Sequence, residues 1–159
     1  MRKILIAVDG SPCALKAADY IAQQFSGLQD LRITLLHVLP YLATSLWDDG
    51  HILTTEERDA RKKVVATWTK NQQMKAEPIL REASGVLTGK GIRPEQIETK
   101  TISDSSDVAD SILEETRNGG YQTLVLGRCG LTAAKRFLIG SVTGKIIDHG
   151  SGTAICVVE

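Results

Sequence analysis

Four apolar runs dominate this chain: "KILIAVD" (Lys3 to Asp9), "RITLLHVLP" (Arg32 to Pro40), "YQTLVLG" (Tyr121 to Gly127) and "TAICVV" (Thr153 to Val158). "KILIAVD" is apolar almost without interruption. A strand with one wet face alternates apolar and polar residues; a strand covered on both faces does not. Such a strand needs helices above and below it, which is the arrangement of a parallel sheet in an α/β fold.

The segments between the runs supply those helices. Gly10-Ser11-Pro12 forms a turn, and Pro12 suits a first helical position, where its missing N–H costs nothing. Leu15, Ala18, Ile21, Ala22 and Phe25 follow at helical spacing, and Gly27 closes the element. Strand, helix and strand make a right-handed βαβ unit. Tyr41 to Gly50 has no period and reads as a surface loop. "TTEE" from Thr54 is a capping-box start, with Glu57 three residues on. The long polar helix after it is expected to bury Val64, Val65, Trp68, Ile79, Leu80, Ala83 and Leu87. Pro78 either kinks this helix or divides it in two. "IETKTIS" (Ile97 to Ser103) alternates weakly and reads as a further strand. "SSDVADSILEETRNGG" is a capped helix with Val108, Ala109, Ile112 and Leu113 inward, and Ser141 to His149 is a short last helix. The sum is one domain over residues 1–159: a doubly wound, five-stranded parallel α/β sheet, Rossmann-like, with expected strand order 3-2-1-4-5.

Charge and length narrow the function. The 19 Lys and Arg residues balance 19 Asp and Glu, so the excess of cation that nucleic-acid binding demands is lacking. No apolar run approaches the ~20 residues of a membrane helix, and the start reads as a strand rather than a leader. Cys13, Cys129 and Cys156 show neither a CxxC nor a His/Cys cluster, so zinc and a disulfide framework are poorly supported. Free thiols suit a reducing cytoplasm, and Cys156 reads as core.

The chemistry is concentrated in "GRCGLTAAKRFLIGSVTGK" (Gly127 to Lys145). The turn after the first strand reads "DGSP", which is not the dinucleotide fingerprint GxGxxG. "GSVTGKI" (Gly140 to Ile146) is one residue short of a P-loop and lacks its Ser/Thr. What remains is Gly127-x2-Gly130-x9-Gly140-Ser141, directly after a buried strand. Gly127 allows a sharp turn, and Gly130 allows backbone N–H groups to approach phosphate oxygens. The nine residues between Gly130 and Gly140 are an excursion that returns the chain to its starting point. Gly140 and Ser141 open a helix whose free N–H groups and dipole favour an anion. Ser141 is a candidate N-cap and phosphate donor, and Thr143 offers a hydroxyl within the first turn. Without a ligand, the same glycines would simply make a tight loop.

This pattern resembles the ATP-binding branch of the universal stress protein family, and the resemblance covers the whole chain. "KILIAVDGS" is similar to the family's opening strand with its aspartate, "LLHVLP" to its second strand, and "GSVTGKIIDHG" with "AICVVE" to its closing segment. The resemblance implies a nucleotide site made of Ala7, Val8, Asp9, Ser11, Val38, Gly127, Arg128, Gly130, Gly140, Ser141, Val142 and Thr143. Asp9 would lie near ribose and adenine, and the Val38 backbone would meet adenine. It implies ATP as ligand, with Mg²⁺ held through the phosphates and not by protein side chains. It also implies a homodimer through Thr153 to Val158, and a cytoplasmic signalling module without nucleic-acid or membrane partners. One departure is that the family places a small hydroxyl residue and then a basic or His residue between the first two glycines. Here Arg128 precedes Cys129; Lys135 and Arg136 either substitute for the displaced cation, if the excursion folds back, or are simply solvated. A phosphotransfer enzyme needs an oriented nucleophile, a base and electrostatic stabilisation. Asp9 and His37 are the only near candidates, and each has a structural role to hand. A slow ATPase or phosphotransferase and a nucleotide-free dimeric scaffold remain the alternatives.

Overall fold

The computed structural model describes residues 1–40, 52–103, 105–129, 139–150 and 152–159. Five strands form one sheet: β1 (Arg2–Ala7), β2 (Leu31–Val38), β3 (Ile97–Ile102), β4 (Thr123–Gly127) and β5 (Ala154–Val158). Their order is β3-β2-β1-β4-β5, as expected for a Rossmann-like sheet, and every pairing is parallel, as the apolar runs indicate. Among the described residues, four α-helices cross between them: α1 (Pro12–Phe25), α2 (Thr55–Gly89), α3 (Val108–Asn118) and α4 (Ser141–His149). A turn of 3-10 helix (Pro94–Gln96) leads into β3.

The pleat divides the core in two. Ile4, Ile6 and Val8 of the first strand and its extension face α1 and α2, whereas Leu5 faces α3 and α4. In β2, Ile33 and Leu35 face the first layer and Leu36 the second. Period-2 geometry thus sends successive apolar residues to opposite cores, which is why the runs carry no alternation. Thr34 and His37 are the buried polar residues of β2.

The long helix departs from expectation. α2 runs as one element through Pro78, which rules out the two-helix alternative. Only its C-terminal half is buried, at Ala76, Leu80, Ala83 and Leu87. Val64, assigned inward from its spacing, is half exposed at 50%, and Val65 and Trp68 are only partly covered. A 35-residue helix is about 50 Å long at 1.5 Å per residue. A strand of six residues spans about 20 Å, so the sheet cannot cover the whole helix. Thr54 caps its start with the reciprocal Glu57 bond, as the "TTEE" pattern indicates.

α3 and α4 are tied at the surface. Asp107 caps α3 by accepting from the Asp110 N–H at 3.1 Å, and Lys145 of α4 pairs with Asp107 at 3.0 Å and Asp110 at 2.9 Å. The Asp110 N–H and then the Lys145 ammonium hold the Asp107 carboxyl below the usual carboxylate range. A carboxyl depressed on folding stabilises fully above its unfolded-state value, and that contribution is lost as pH falls through the folded-state value. Asp107→Ala is therefore expected to cost about 1 kcal/mol at neutral pH, the usual worth of an N-cap. The gap from the parent should narrow in urea titrations as pH falls through the folded-state value. Equal stabilities at neutral pH would show that the cap and its ion pairs contribute nothing.

Candidate functional site

The chain reverses direction across the sheet at β1, with β2 on one side and β4 on the other. The crevice beyond the C-terminal ends of such strands is where open α/β sheets bind ligands. A cavity of about 390 Å³ lies there. Its polar side is formed by Asp9, Ser11, His37, Ser141 and Thr143, and its apolar side by Val38, Pro40, Val108, Ile112 and Leu126.

The turn after β1 sets the first wall. Gly10 has φ +81°, a left-handed conformation that side-chain-bearing residues rarely adopt, and Ile79 of α2 lies 3.1 Å from where its Cβ would be. Beyond it, the Asp9 carboxylate accepts from the Ser11 N–H at 2.9 Å. Ser11 is buried and caps α1, accepting from the Ala14 N–H at 3.2 Å. His37 Nδ1 lies 2.7 Å from the Val8 carbonyl, which can only accept, so Nδ1 carries a proton there. The ring therefore ties β2 to the end of β1 and also lines the cavity.

The glycine segment forms the opposite wall. A Cβ on Gly127 would stand 2.7 Å from the backbone carbon of Cys13 and 2.9 Å from the Ala14 nitrogen. Only glycine lets the end of β4 pass this close to the first turn of α1. The Arg128 N–H donates to the Val158 carbonyl at 2.7 Å, and the Gly140 N–H donates to the Arg128 carbonyl at 2.9 Å. The chain leaving β4 thus meets itself again at Gly140, as the glycine spacing implied. Thr143 is buried and donates its hydroxyl to the Gly127 carbonyl at 3.0 Å, clamping α4 to the end of β4.

Three expectations change. Ser141 is not the N-cap: Gly140 holds that position and Ser141 is the first helical residue, with an exposed side chain. Gly140 has no side chain, so the cap residue itself leaves the first-turn N–H groups of α4 unbonded. Arg128 does not line the cavity; its Nε pairs with Glu159 at 2.9 Å beside the end of β5. Cys13 and Cys129 are not free thiols but are bonded to each other across 116 positions of sequence, with Cα atoms 5.9 Å apart. No local pattern announces a pair so far apart, because only the packing of β4 on α1 brings them together.

Of the residues implied for the site, Ala7, Val8, Asp9, Ser11, Val38, Gly127, Gly140, Ser141, Val142 and Thr143 line one cavity. Gly130, Lys135, Arg136 and the Tyr41 to Gly50 segment lie outside the described residues. Val108 and Ile112 were read as core alone. They carry the ordinary spacing of an inward helix face, so nothing local marked them as cavity wall.

The universal stress protein family model matches residues 1–157. The chain belongs to the universal stress protein family. A universal stress protein of Mycolicibacterium smegmatis is 28% identical over 158 residues, covering 97% of this chain and 47% of the relative, so the chain spans about half the length of that protein. Universal stress protein YxiE of Bacillus subtilis is 28% identical over 147 residues, covering 91% of this chain and 90% of the relative. Among solved structures, UspA from Lactobacillus plantarum superposes with TM-score 0.71 at 21% identity, covering 99% of this chain and 97% of that one. The universal stress protein from Archaeoglobus fulgidus in complex with dAMP superposes with TM-score 0.66 at 17% identity, covering 100% and 98%. These structures share the universal stress protein fold. Among the described residues, no helix is long and apolar enough to cross a membrane, and no group of three or more His, Cys, Asp or Glu side chains is placed to hold a metal ion.

Proposed function

We propose that this chain is an ATP-binding universal stress protein module over residues 1–159, signalling nucleotide state as a homodimer. The observation that carries the reading is the start of α4, whose cap residue Gly140 has no side chain of its own to bond the first-turn N–H groups, lining the same cavity as Asp9 and Gly127. Free N–H groups at a helix N-terminus suit phosphate, and the apolar wall of Val38, Val108 and Ile112 suits the faces of a purine. The dAMP-bound neighbour supports an adenine nucleotide. Asp9 is the one carboxylate lining the cavity among the described residues, so Mg²⁺ would be held chiefly by the phosphates of its nucleotide. Mg-ATP as ligand carries a cytoplasmic address with it. Denaturing the purified protein and identifying the released nucleotide, followed by calorimetry with Mg-ATP, tests the reading. Failure to bind any adenine nucleotide would remove it.

Turnover is expected to be slow. His37 is held at Nδ1 by the Val8 carbonyl, and Asp9 accepts from the Ser11 N–H. Each has a structural task, and neither is shown oriented as a base. Phosphate release should lie well below the median enzyme value of ~10 s⁻¹. A partner-free sample turning over near that value would replace the binding module by an enzyme.

The homodimer would form through Thr153 to Val158, which contains β5. Among the described residues this strand is at the edge of the sheet and pairs with β4 alone; Ala154 is exposed and Ile155 to Val158 are partly covered. An apolar edge offers unpaired N–H and C=O groups to another strand, and two-fold pairing would satisfy both copies. Val157→Pro removes one ladder donor. A folded variant should shift to monomer in light scattering at micromolar concentration, and unchanged dimerisation would exclude this edge.

A further inference from the structure

The Cys13–Cys129 bond joins the two walls of the cavity. Cys13 sits in the first turn of α1, directly after Pro12, and Cys129 lies two residues beyond the end of β4. Their Cα separation of 5.9 Å falls within the range a disulfide requires. Both residues are partly exposed, so a small thiol or disulfide has access to them. Cys129 lines the cavity, and its carbonyl accepts from the Ser11 hydroxyl at 3.4 Å. Neither cysteine belongs to the two apolar cores on either side of the sheet. Its effect is therefore local: it fastens the backbone that leaves Gly127 to the helix whose cap, Ser11, faces the same cavity.

We propose that Cys13 and Cys129 form a reversible thiol–disulfide exchange site whose oxidised state tightens nucleotide binding in the adjoining cavity. The coupling rests on the nucleotide reading given above. The chemistry needs a low-molecular-weight disulfide as oxidant. The Cys13 thiolate, at a helix N-terminus that favours negative charge, attacks one sulfur of that disulfide and expels one small thiol. The Cys129 thiolate then attacks the Cys13 sulfur of the mixed disulfide and expels the second. Two protein thiols lose two electrons and become one disulfide. The oxidant gains them, takes up the two protons and becomes two thiols. A dithiol reductant runs the exchange backwards.

Oxidation strengthens binding because the backbone from Gly127 to Cys129 is fastened to α1 before the nucleotide arrives, so less freedom is lost on binding. Coupling between two sites commonly lies at 5–150-fold, and about tenfold is expected here. Reciprocity follows: bound nucleotide should shift the dithiol–disulfide equilibrium toward the disulfide by the same factor. Cys156 is not part of the exchange. It lies in β5, packed against the core beneath α1 and α2, and burial pushes its thiol above the usual range.

The test uses the whole chain equilibrated in either glutathione disulfide or dithiothreitol. Alkylation with peptide mapping by mass reads the bond, and calorimetry with Mg-ATP reads affinity. The expected result is a Cys13–Cys129 linked peptide in the oxidising buffer only, with Kd about tenfold lower there. Cys13→Ser should bind as the reduced parent does in both buffers, and Cys156→Ser should respond to redox as the parent does. Absence of the linked peptide, with Mg-ATP still bound, overturns the exchange site and leaves the nucleotide reading intact. A linked peptide with equal Kd in both buffers overturns the coupling. A linked peptide with no Mg-ATP binding in either buffer overturns the nucleotide reading and the coupling with it.

Discussion

Gly127→Ala should destabilise the protein by about 2–3 kcal/mol, the upper part of the usual overpacking range, and weaken Mg-ATP binding at least tenfold. The added methyl would meet the Cys13 backbone carbon at 2.7 Å, the Cys13 Cβ at 2.8 Å and the Ala14 nitrogen at 2.9 Å. Two of these atoms are backbone in the first turn of α1 and cannot rotate away. Either α1 moves off the sheet or β4 does, and both hold the cavity. The Gly127 carbonyl is also the acceptor for Thr143, so its displacement would loosen the clamp on α4. Gly85→Ala is the contrasting control. Gly85 lies inside α2 with nothing within 4 Å of the added Cβ, so that change should stabilise by roughly 0.5–1 kcal/mol. Urea unfolding of both variants checks the signs. A Gly127→Ala protein as stable as its parent would show that β4 and α1 are not in this contact.

Ser141→Asp should lower Mg-ATP affinity by tenfold or more while leaving the fold at least as stable. Ser141 is the first residue of α4 and its side chain is exposed at the cavity. A carboxylate there meets the positive end of the helix dipole, worth typically 0.3–1 kcal/mol to the folded state. The same carboxylate would stand beside the nucleotide's phosphates, and like charges in contact cost several kcal/mol of binding. Opposite signs on stability and affinity separate this outcome from general damage. Ser141→Ala should alter either quantity much less, since the α4 N–H groups remain. Calorimetry and thermal unfolding on the same preparations decide the matter. Unchanged affinity in Ser141→Asp would move the phosphates away from α4.

Local signals read well wherever one element carries its own instructions. Pro12 marks the first residue of α1, the Thr54–Glu57 box marks the start of α2, and Ser141 to His149 is α4 to the residue. The strand runs needed only their unbroken hydrophobicity to be recognised as two-faced. The reading failed where a helix outran its partner. Val64 has the spacing of a core residue, but the sheet ends before reaching it. It failed again at Ser141, whose rank as cap passed to Gly140 by one position. Hydroxyl chemistry favours a serine cap, but where the chain actually turns depends on the Gly140 bond to the Arg128 carbonyl.

The succession of strands and helices along the chain, the two-faced character of β1 and the glycine spacing after β4 follow from period, composition and backbone sterics, which act over a few residues at a time. Which side chains meet across the crevice does not. The wall formed by Val108 and Ile112, the turning of Arg128 toward Glu159 and the joining of Cys13 to Cys129 each depend on elements from different parts of the chain. Such contacts are set by how helices dock on a twisted sheet. A segment's own sequence fixes which face it buries, whereas the neighbour it meets there is decided by packing alone.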